Sequence, residues 1–359
     1  MRRRRTRPGL ALLCCLPLTA GCFFAGRQVS FGPAALAAGS FLTAPRQAVG
    51  AARQWFSLEA GEKEPVYFEQ VPTETAPQAP ATGTPAGAAL ARPENAGTVT
   101  DAAYRGSADE VTVQAGAGLI KNCTALPRQE VEAAVSAPMP FLLEKNSGEV
   151  QVLILHTHAT ECYQPADTDW YDPAWPTRTT DTQHNMAAVG AVLAETLNGQ
   201  GIRTLQDTTL HDYPSYNGSY DRSRATAERY LARYPSIKVV LDIHRDAIEQ
   251  ADGTRMRPVI ETETGRTAQL MVICAADDGT RGMPDFKQNL RFAAALQDAV
   301  EKTAPGLARP VLFDYRNYNY NQQLSAGCLL VEVGGHANTL EQAKAAAAVL
   351  GRALASLAG

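Results

Sequence analysis

The chain has 359 residues, of which 45% are hydrophobic and 19% are charged, and its formal net charge is −4. A chain of this length can form two domains, or one domain with appended segments. Its small negative net charge excludes the strongly basic surface that is typical of proteins that bind nucleic acid, so no nucleic-acid partner is expected.

Residues 1–26 predict a signal sequence or membrane anchor. Five arginines, at positions 2–5 and 7, precede an apolar segment, residues 9–25, that carries no charge. Because an arginine-rich flank stays in the cytoplasm, we expect a single-pass cell-membrane protein whose remaining chain is extracytoplasmic. Residues 18–22 read LTAGC, which is close to a lipoprotein cleavage box, but Thr19 matches that box poorly and an uncleaved anchor is favoured.

Residues 27–116 predict a spacer that is largely disordered. Most of this segment is rich in alanine, proline, threonine and glycine and has few large apolar residues. Such a composition buries too little surface to offset the entropy cost of ordering the chain. The spacer separates the anchor from residues 117–359, which we expect to fold on their own as one domain.

The folded part alternates between apolar strands and amphipathic helices. Strands are predicted at residues 150–156, 201–207, 237–244, 267–275 and 327–335, and helices at 182–201, 219–235, 285–303 and 339–357. Strands that are apolar throughout, each followed by a helix, predict an α/β fold with a mostly parallel, twisted sheet and helices on both faces. The exception is residues 245–265, which resemble an inserted hairpin.

Polar residues follow three of the predicted strands. The first strand ends in His156 and is followed by His158, the third ends in His244, and the last contains Glu332 before two glycines. The carboxyl ends of parallel strands gather functional groups at one edge of a sheet. Imidazoles and carboxylates are ligands that zinc prefers, and a further carboxylate can act as general base.

Each of these residues also has a structural interpretation. A single histidine at a strand end is commonly a hydrogen-bonded structural residue, and this alternative is strongest for His156. Glu332 can instead pair with Arg245, although burying a carboxylate is costly without a specific reason. His336, in the glycine-rich turn after Glu332, is placed where it can line a substrate site.

Three segments resemble the motifs of one family. The sequences VLILHTHATECY, VVLDIHRDA and LSAGCLLVEVGGHANTLEQA are similar to those of stage II sporulation protein P, a family of peptidoglycan hydrolases from endospore-forming bacteria. That family is similar in turn to the zinc-dependent N-acetylmuramoyl-L-alanine amidases. The resemblance covers about residues 119–357 and implies an amidase-like fold behind an anchor and a spacer.

The resemblance also implies roles for individual residues. His158 and His244 align with two zinc ligands of the amidases, and Glu332 aligns with their catalytic glutamate. The third ligand of the amidases is a glutamate; its position here is occupied by Asp181, and Glu161 is the rival. Beside this site, Arg245 would stabilise an oxyanion or a substrate carboxylate, and His156 and His336 would line the substrate.

By this resemblance the chain is a zinc enzyme that cleaves the amide between N-acetylmuramic acid and L-alanine in peptidoglycan, and possible cleavage of peptide cross-links stays open. It would act during engulfment, in the septal space between mother cell and forespore, with a glycan-cleaving sporulation protein and a membrane partner. Two alternatives remain: another zinc-dependent peptidase or deacetylase on the same scaffold, and a catalytically inactive wall-binding module. Retention of two histidines and a glutamate together argues against the second.

Overall fold

A computed structural model of the chain describes residues 90–107, 109–315 and 318–359. These residues form two sheets. The strands, in chain order, are β1 (Gly97–Ala102), β2 (Thr112–Ala115), β3 (Gly118–Asn122), β4 (Val152–Leu155), β5 (Trp170–Tyr171), β6 (Thr204–Gln206), β7 (Val239–Asp246), β8 (Arg255–Thr262), β9 (Gly265–Ala268), β10 (Leu270–Ala275), β11 (Val311–Asp314) and β12 (Cys328–Gly335). The larger sheet has the order β2-β3-β11-β10-β12-β7-β4-β6, and the smaller one has the order β5-β1-β8-β9.

Helices cover both faces of the larger sheet, as the sequence predicts. They are α1 (Arg128–Val135), α2 (Met186–Gly199), α3 (Ser219–Arg233), α4 (Phe286–Thr303) and α5 (Leu340–Ser356). Successive residues of a strand point to opposite faces. On β4, Val152 and Ile154 join the main core with α2, α4 and α5, whereas Leu153 and Leu155 pack with Ala227 of α3.

The sheet is mixed, which corrects the expectation of a mostly parallel one. Strands β12, β7, β4 and β6 run parallel, but β10 is antiparallel to β12, and β2 is antiparallel to β3. The physical reason lies in the connection after β7. A parallel neighbour needs a long crossover, usually a helix; here the chain instead passes through the antiparallel hairpin β8–β9 and enters β10 from the opposite end.

Ordered strands also lie within the predicted spacer. Strand β1 pairs with β8 and β5, and β2 pairs with β3, so residues 97–115 form part of the fold and the boundary at residue 117 falls too late. These strands are short and find their partners far along the chain, which the local composition does not reveal. The predicted anchor and residues 27–89 of the spacer lie outside the described residues. In the part of the chain that the structure describes, no helix is long and apolar enough to cross a membrane.

Candidate metal centre

Three neighbouring parallel strands bring the predicted site residues to one edge of the sheet. Strands β12, β7 and β4 are adjacent, and Glu332 on β12 lies opposite His244 on β7. His158 follows β4 by three residues. The first three residues of β7 and the whole of β4 are buried and apolar, and the polar residues occupy the carboxyl-terminal half of β7 and the turn after β4.

His158, Glu161 and His244 form one buried group. Their ligand atoms all lie within 4.8 Å of one another. The Nδ1 atom of His158 is 3.9 Å from Oε1 of Glu161, and the Nδ1 atom of His244 is 3.9 Å from the other carboxylate oxygen. Glu161 is reached by a turn after β4, in which its backbone N–H donates to the carbonyl of His158.

Asp242 orients the ring of His244. The Nε2 atom of His244 lies 3.0 Å from Oδ1 of Asp242, which leaves Nδ1 facing Glu161. Asp242 is itself held by Thr157, whose backbone N–H and hydroxyl both donate to its carboxylate. A carboxylate behind a ligating histidine fixes the ring and its tautomer, an arrangement common in metal sites.

The electrostatics of the group favour a cation. Burial opposes the charged form of His244, but the carboxylates of Asp242, Glu161 and Glu332 outweigh it and raise the pKa of His244 to about 10. Burial, and then the neighbouring His244, hold the pKa of His158 well below its usual value. His158 is therefore neutral, as a metal ligand must be, whereas the proton that the three carboxylates hold on His244 would be released when a metal ion takes its place.

The residues present fit a zinc ion. Zinc takes imidazole nitrogens and carboxylate oxygens at about 2.0–2.2 Å in a tetrahedron, so its ligand atoms lie roughly 3.3–3.6 Å apart. The two nitrogen–oxygen separations of 3.9 Å are close to that spacing. Three protein ligands would leave a fourth position open, which is typical of catalytic rather than structural zinc sites.

Asp181, predicted as the third ligand, is not part of this group. Its side chain is 42% exposed and lies 2.8 Å from Nδ1 of His184, which is exposed as well. Asp181 also accepts a hydrogen bond from the backbone N–H of Gln183. It stabilises the turn ahead of α2, and the place next to the two histidines belongs to the rival residue, Glu161.

Glu332 lies beside the group with a buried oxygen. Its Oε2 atom has no hydrogen-bond partner among the described residues. Burial, and then the carboxylate of Asp246, raise the pKa of Glu332 to about 8. A carboxyl group whose pKa is near neutrality can exchange a proton at physiological pH, as a general acid–base group must.

The guanidinium of Arg245 donates to backbone carbonyls. The side chain donates from Nε to the carbonyl of Cys162 at 2.6 Å and from Nη2 to the carbonyl of Thr177 at 2.8 Å. Its Nη1 donates to the backbone carbonyl of Asp246. Among the described residues it forms no ion pair with Glu332, so neither the predicted oxyanion role nor the alternative pairing matches its contacts. It holds together the two ends of the loop after β4.

The two histidines predicted to line the substrate are buried beneath the site. His156 is fully buried: its Nδ1 donates to Ile243 at 3.1 Å, and its Nε2 is 3.0 Å from Nε2 of Gln206. Burial lowers the pKa of His156 to about 4, so it is a neutral structural residue. His336 is 9% exposed, and its buried Nε2 has no partner among the described residues. It is not a member of the metal group.

Sequence reasoning missed several neighbours of the group. Arg178 lies 3.4 Å from Glu161 and 2.7 Å from Asp212, so it links the two buried carboxylates. Tyr216 stacks on His158 with ring centroids 4.5 Å apart, and Tyr220 meets the same ring edge-on at 5.5 Å. Tyr220 lies in the first turn of α3 and Tyr216 in the loop before that helix, so no helical spacing in the sequence links the two rings.

The comparisons identify a family. A family model described as stage II sporulation protein P matches residues 88–355, about three quarters of the chain. The stage II sporulation protein P of Bacillus subtilis (strain 168) is 30% identical over 208 residues, which make up 55% of this chain and 48% of that protein. The chain therefore spans about half the length of this curated relative.

Two amidases are among the similar solved structures. The CwlD amidase from Clostridioides difficile, in complex with the GerS lipoprotein, is 10% identical with a TM-score of 0.35, and the match covers 57% of this chain and 94% of that one. An N-acetylmuramoyl-L-alanine amidase of Nostoc punctiforme is 15% identical with a TM-score of 0.34, covering 58% and 96%. At such scores neither likeness bears on the activity of this chain.

Proposed function

This chain belongs to the stage II sporulation protein P family, and from that membership we propose that it hydrolyses peptidoglycan at the amide between N-acetylmuramic acid and L-alanine. The observation that carries the proposal is the buried group of His158, Glu161 and His244 with Glu332 on the next strand. A purely wall-binding module has no need to bury two histidines and two glutamates at one sheet edge, because each buried charge costs free energy.

We propose that the three members of the group hold a zinc ion. Zinc bound there supplies a Lewis acid for the amide carbonyl and lowers the pKa of a water molecule from about 15.7 toward about 7. His158, His244 and Glu161 would hold the ion through a ring nitrogen of each histidine and the carboxylate, and Asp242, 3.0 Å from the His244 ring, would keep that ring in place.

Glu332 acts as general base and then as general acid. Its unpaired Oε2 accepts a proton from the attacking water and delivers it to the nitrogen of the departing L-alanine. Burial and the carboxylate of Asp246 raise the pKa of Glu332, which favours its role as the acid that returns the proton to the leaving nitrogen. A bound cation would lower that pKa and keep the carboxylate ionised before the reaction.

Product analysis tests the proposal. The full-length protein, loaded with zinc, is incubated with purified sacculi, and the soluble products are separated and sequenced. We expect stem peptides with a new N-terminal L-alanine. Free acetate would identify a deacetylase, and cleavage only within peptide cross-links would identify an endopeptidase; either result would reject the amidase.

The cellular setting is also proposed. Five arginines ahead of the apolar segment favour an N-terminus in the cytoplasm and a catalytic domain outside the membrane. We place its work in the septal space during engulfment, with a glycan-cleaving sporulation protein and a membrane partner. Protease added to intact protoplasts should digest the C-terminal domain, and full protection of that domain would reject the topology.

A further inference from the structure

A row of tyrosine rings leads from the histidines to the protein surface. The ring of Tyr220 lies 5.5 Å from that of His158 and runs nearly parallel to that of His244 at 6.4 Å. Tyr318 stacks on the other side of Tyr220, with centroids 5.8 Å apart and 10° between the planes. Tyr318 is 55% exposed, so the row begins at the metal group and ends in solvent.

These rings line a cavity of about 320 Å³, here called the tyrosine cleft. Tyr320 stands edge-on to Tyr220 at 5.6 Å and closes one side. The other lining residues carry amides or a guanidinium: Arg281, Asn319, Asn321 and Gln323. The volume is at the lower end of the roughly 300–1,000 Å³ of small-molecule sites, which also combine aromatic walls with a few polar groups.

The cleft is held in shape by its backbone. Tyr320 and Asn321 both have left-handed backbone angles, with φ of 50° and 57°. Asparagine tolerates this conformation, but for a bulky residue such as Tyr320 it is costly and persists only where the surroundings impose it. The side-chain amide of Asn321 donates to the carbonyl of Tyr220 and to the hydroxyl of Ser223, which ties this strained turn to helix α3.

Two polar atoms of the cleft residues are buried without a hydrogen-bond partner among the described residues. They are Nε of Arg281 and Oε1 of Gln323. A buried polar atom left unpaired costs about 1–3 kcal/mol. One donor and one acceptor next to aromatic walls are what a ligand rich in hydroxyl and amide groups would satisfy.

We infer that the tyrosine cleft is a subsite for the glycan strand of the substrate. The face of a tyrosine ring is electronegative, and the C–H bonds on the face of a pyranose ring are weakly positive, so the two stack. The amides then bond to hydroxyl and N-acetyl groups. A stem peptide, by contrast, carries several carboxylates, and among the described residues that line the cleft Arg281 is the single cation. This inference rests on the proposed function, because a sugar beside Tyr220 is next to the metal group.

Binding measurements test the subsite without relying on turnover. The full-length protein is titrated with two probes: a peptide-free glycan strand of alternating N-acetylglucosamine and N-acetylmuramic acid, and the isolated stem peptide. Tyr318→Ala removes the exposed ring, and Tyr318→Phe keeps the ring while removing the hydroxyl. Tyr213→Ala is the matched control, because Tyr213 is also exposed (42%) and does not line the cleft. Thermal melts check that each variant is folded.

We expect the glycan strand to bind, and we expect Tyr318→Ala to weaken the affinity for that strand about tenfold. A tenfold change corresponds to the loss of one aromatic contact, which contributes up to about 1.5 kcal/mol. Tyr318→Phe and Tyr213→Ala should bind like the wild type. Undiminished glycan binding by Tyr318→Ala, or binding of the stem peptide alone, would overturn the subsite. Glycan binding that depends on Tyr318 in a protein that does not cleave the muramoyl amide would support the subsite and reject the proposed function.

Discussion

At the scale of single residues, the burial of Glu161 needs an explanation. Its side chain is 9% exposed and lies between two histidines. A buried carboxylate costs several kcal/mol unless it is paired, and both of its hydrogen-bond donors among the described residues are long, with Nη2 of Arg178 at 3.4 Å and the backbone N–H of Arg245 at 3.3 Å. A dication between Glu161 and the two Nδ1 atoms would compensate the charge fully. The choice between Glu161 and Asp181 is therefore a question that one pair of variants answers.

Glu161→Ala should lower zinc affinity at least about 100-fold, because even residues behind the ligands typically contribute 10–100-fold. Asp181→Ala should leave the affinity near that of the wild type, since its carboxylate is exposed and contacts His184. Competition with a zinc-binding dye measures both constants. The reverse result would return the ligand role to Asp181 and reject the geometry of the buried group.

Glu332→Gln should abolish turnover while zinc stays bound and the fold stays intact. Glutamine is nearly isosteric but cannot accept a proton, and general acid–base groups contribute typically 10²–10⁴-fold. Zinc content by elemental analysis and a thermal melt accompany turnover on purified peptidoglycan. Glu341→Gln is the matched control, because Glu341 is an exposed glutamate on α5. A stable, zinc-loaded Glu332→Gln protein that keeps most of its activity would remove Glu332 from the mechanism.

At the scale of elements, the sequence predicts the strands that carry the site and misses those that frame it. Strands β4, β7 and β12 each begin with an apolar run, and polar residues follow that run within the strand or just after it, so both their existence and their shared edge follow from the pattern. The position that the sequence left open between Asp181 and Glu161 is on a loop. Glu161 is carried by a turn after β4 whose path depends on contacts of Arg245 with Cys162 and Thr177, and no local pattern encodes those contacts.

We therefore expect Arg245 to contribute to the free energy of unfolding. Arg245→Lys removes the planar fork that reaches two carbonyls, and it leaves these buried acceptors without donors. We expect the free energy of unfolding to fall by about 2–4 kcal/mol. The exposed Arg224, which pairs with Glu228 on the same helix, serves as control. Arg224→Lys should lower the free energy of unfolding by less than about 0.5 kcal/mol. Denaturant titration measures both. An unchanged stability with lost turnover would restore the catalytic role predicted for Arg245.

At the scale of the whole molecule, the ordered part begins earlier than composition suggests. Strands β1 and β2 contribute the buried side chains of Val99 and Val113. Asp101 on β1 also pairs with Arg257 at 2.6 Å and with Arg266 at 2.8 Å, both on the hairpin β8–β9. Strand β1, which precedes the predicted catalytic domain, thus pairs with the hairpin β8–β9 that leads the chain into the antiparallel strand β10.

Two truncated fragments test whether the folded domain begins at the predicted residue 117 or before β1. A fragment of residues 119–359 lacks β1 and β2, so it exposes the edge of β8 and loses two buried valines worth roughly 1.5–3 kcal/mol each. For a domain of this size, 1 kcal/mol shifts the melting temperature by about 2–4 °C. We expect that fragment to melt roughly 10 °C below one of residues 90–359, which keeps both strands. Scanning calorimetry on the two purified fragments decides. Equal melting temperatures would mean that β1 and β2 add nothing to the fold, and the boundary at residue 117 would then stand.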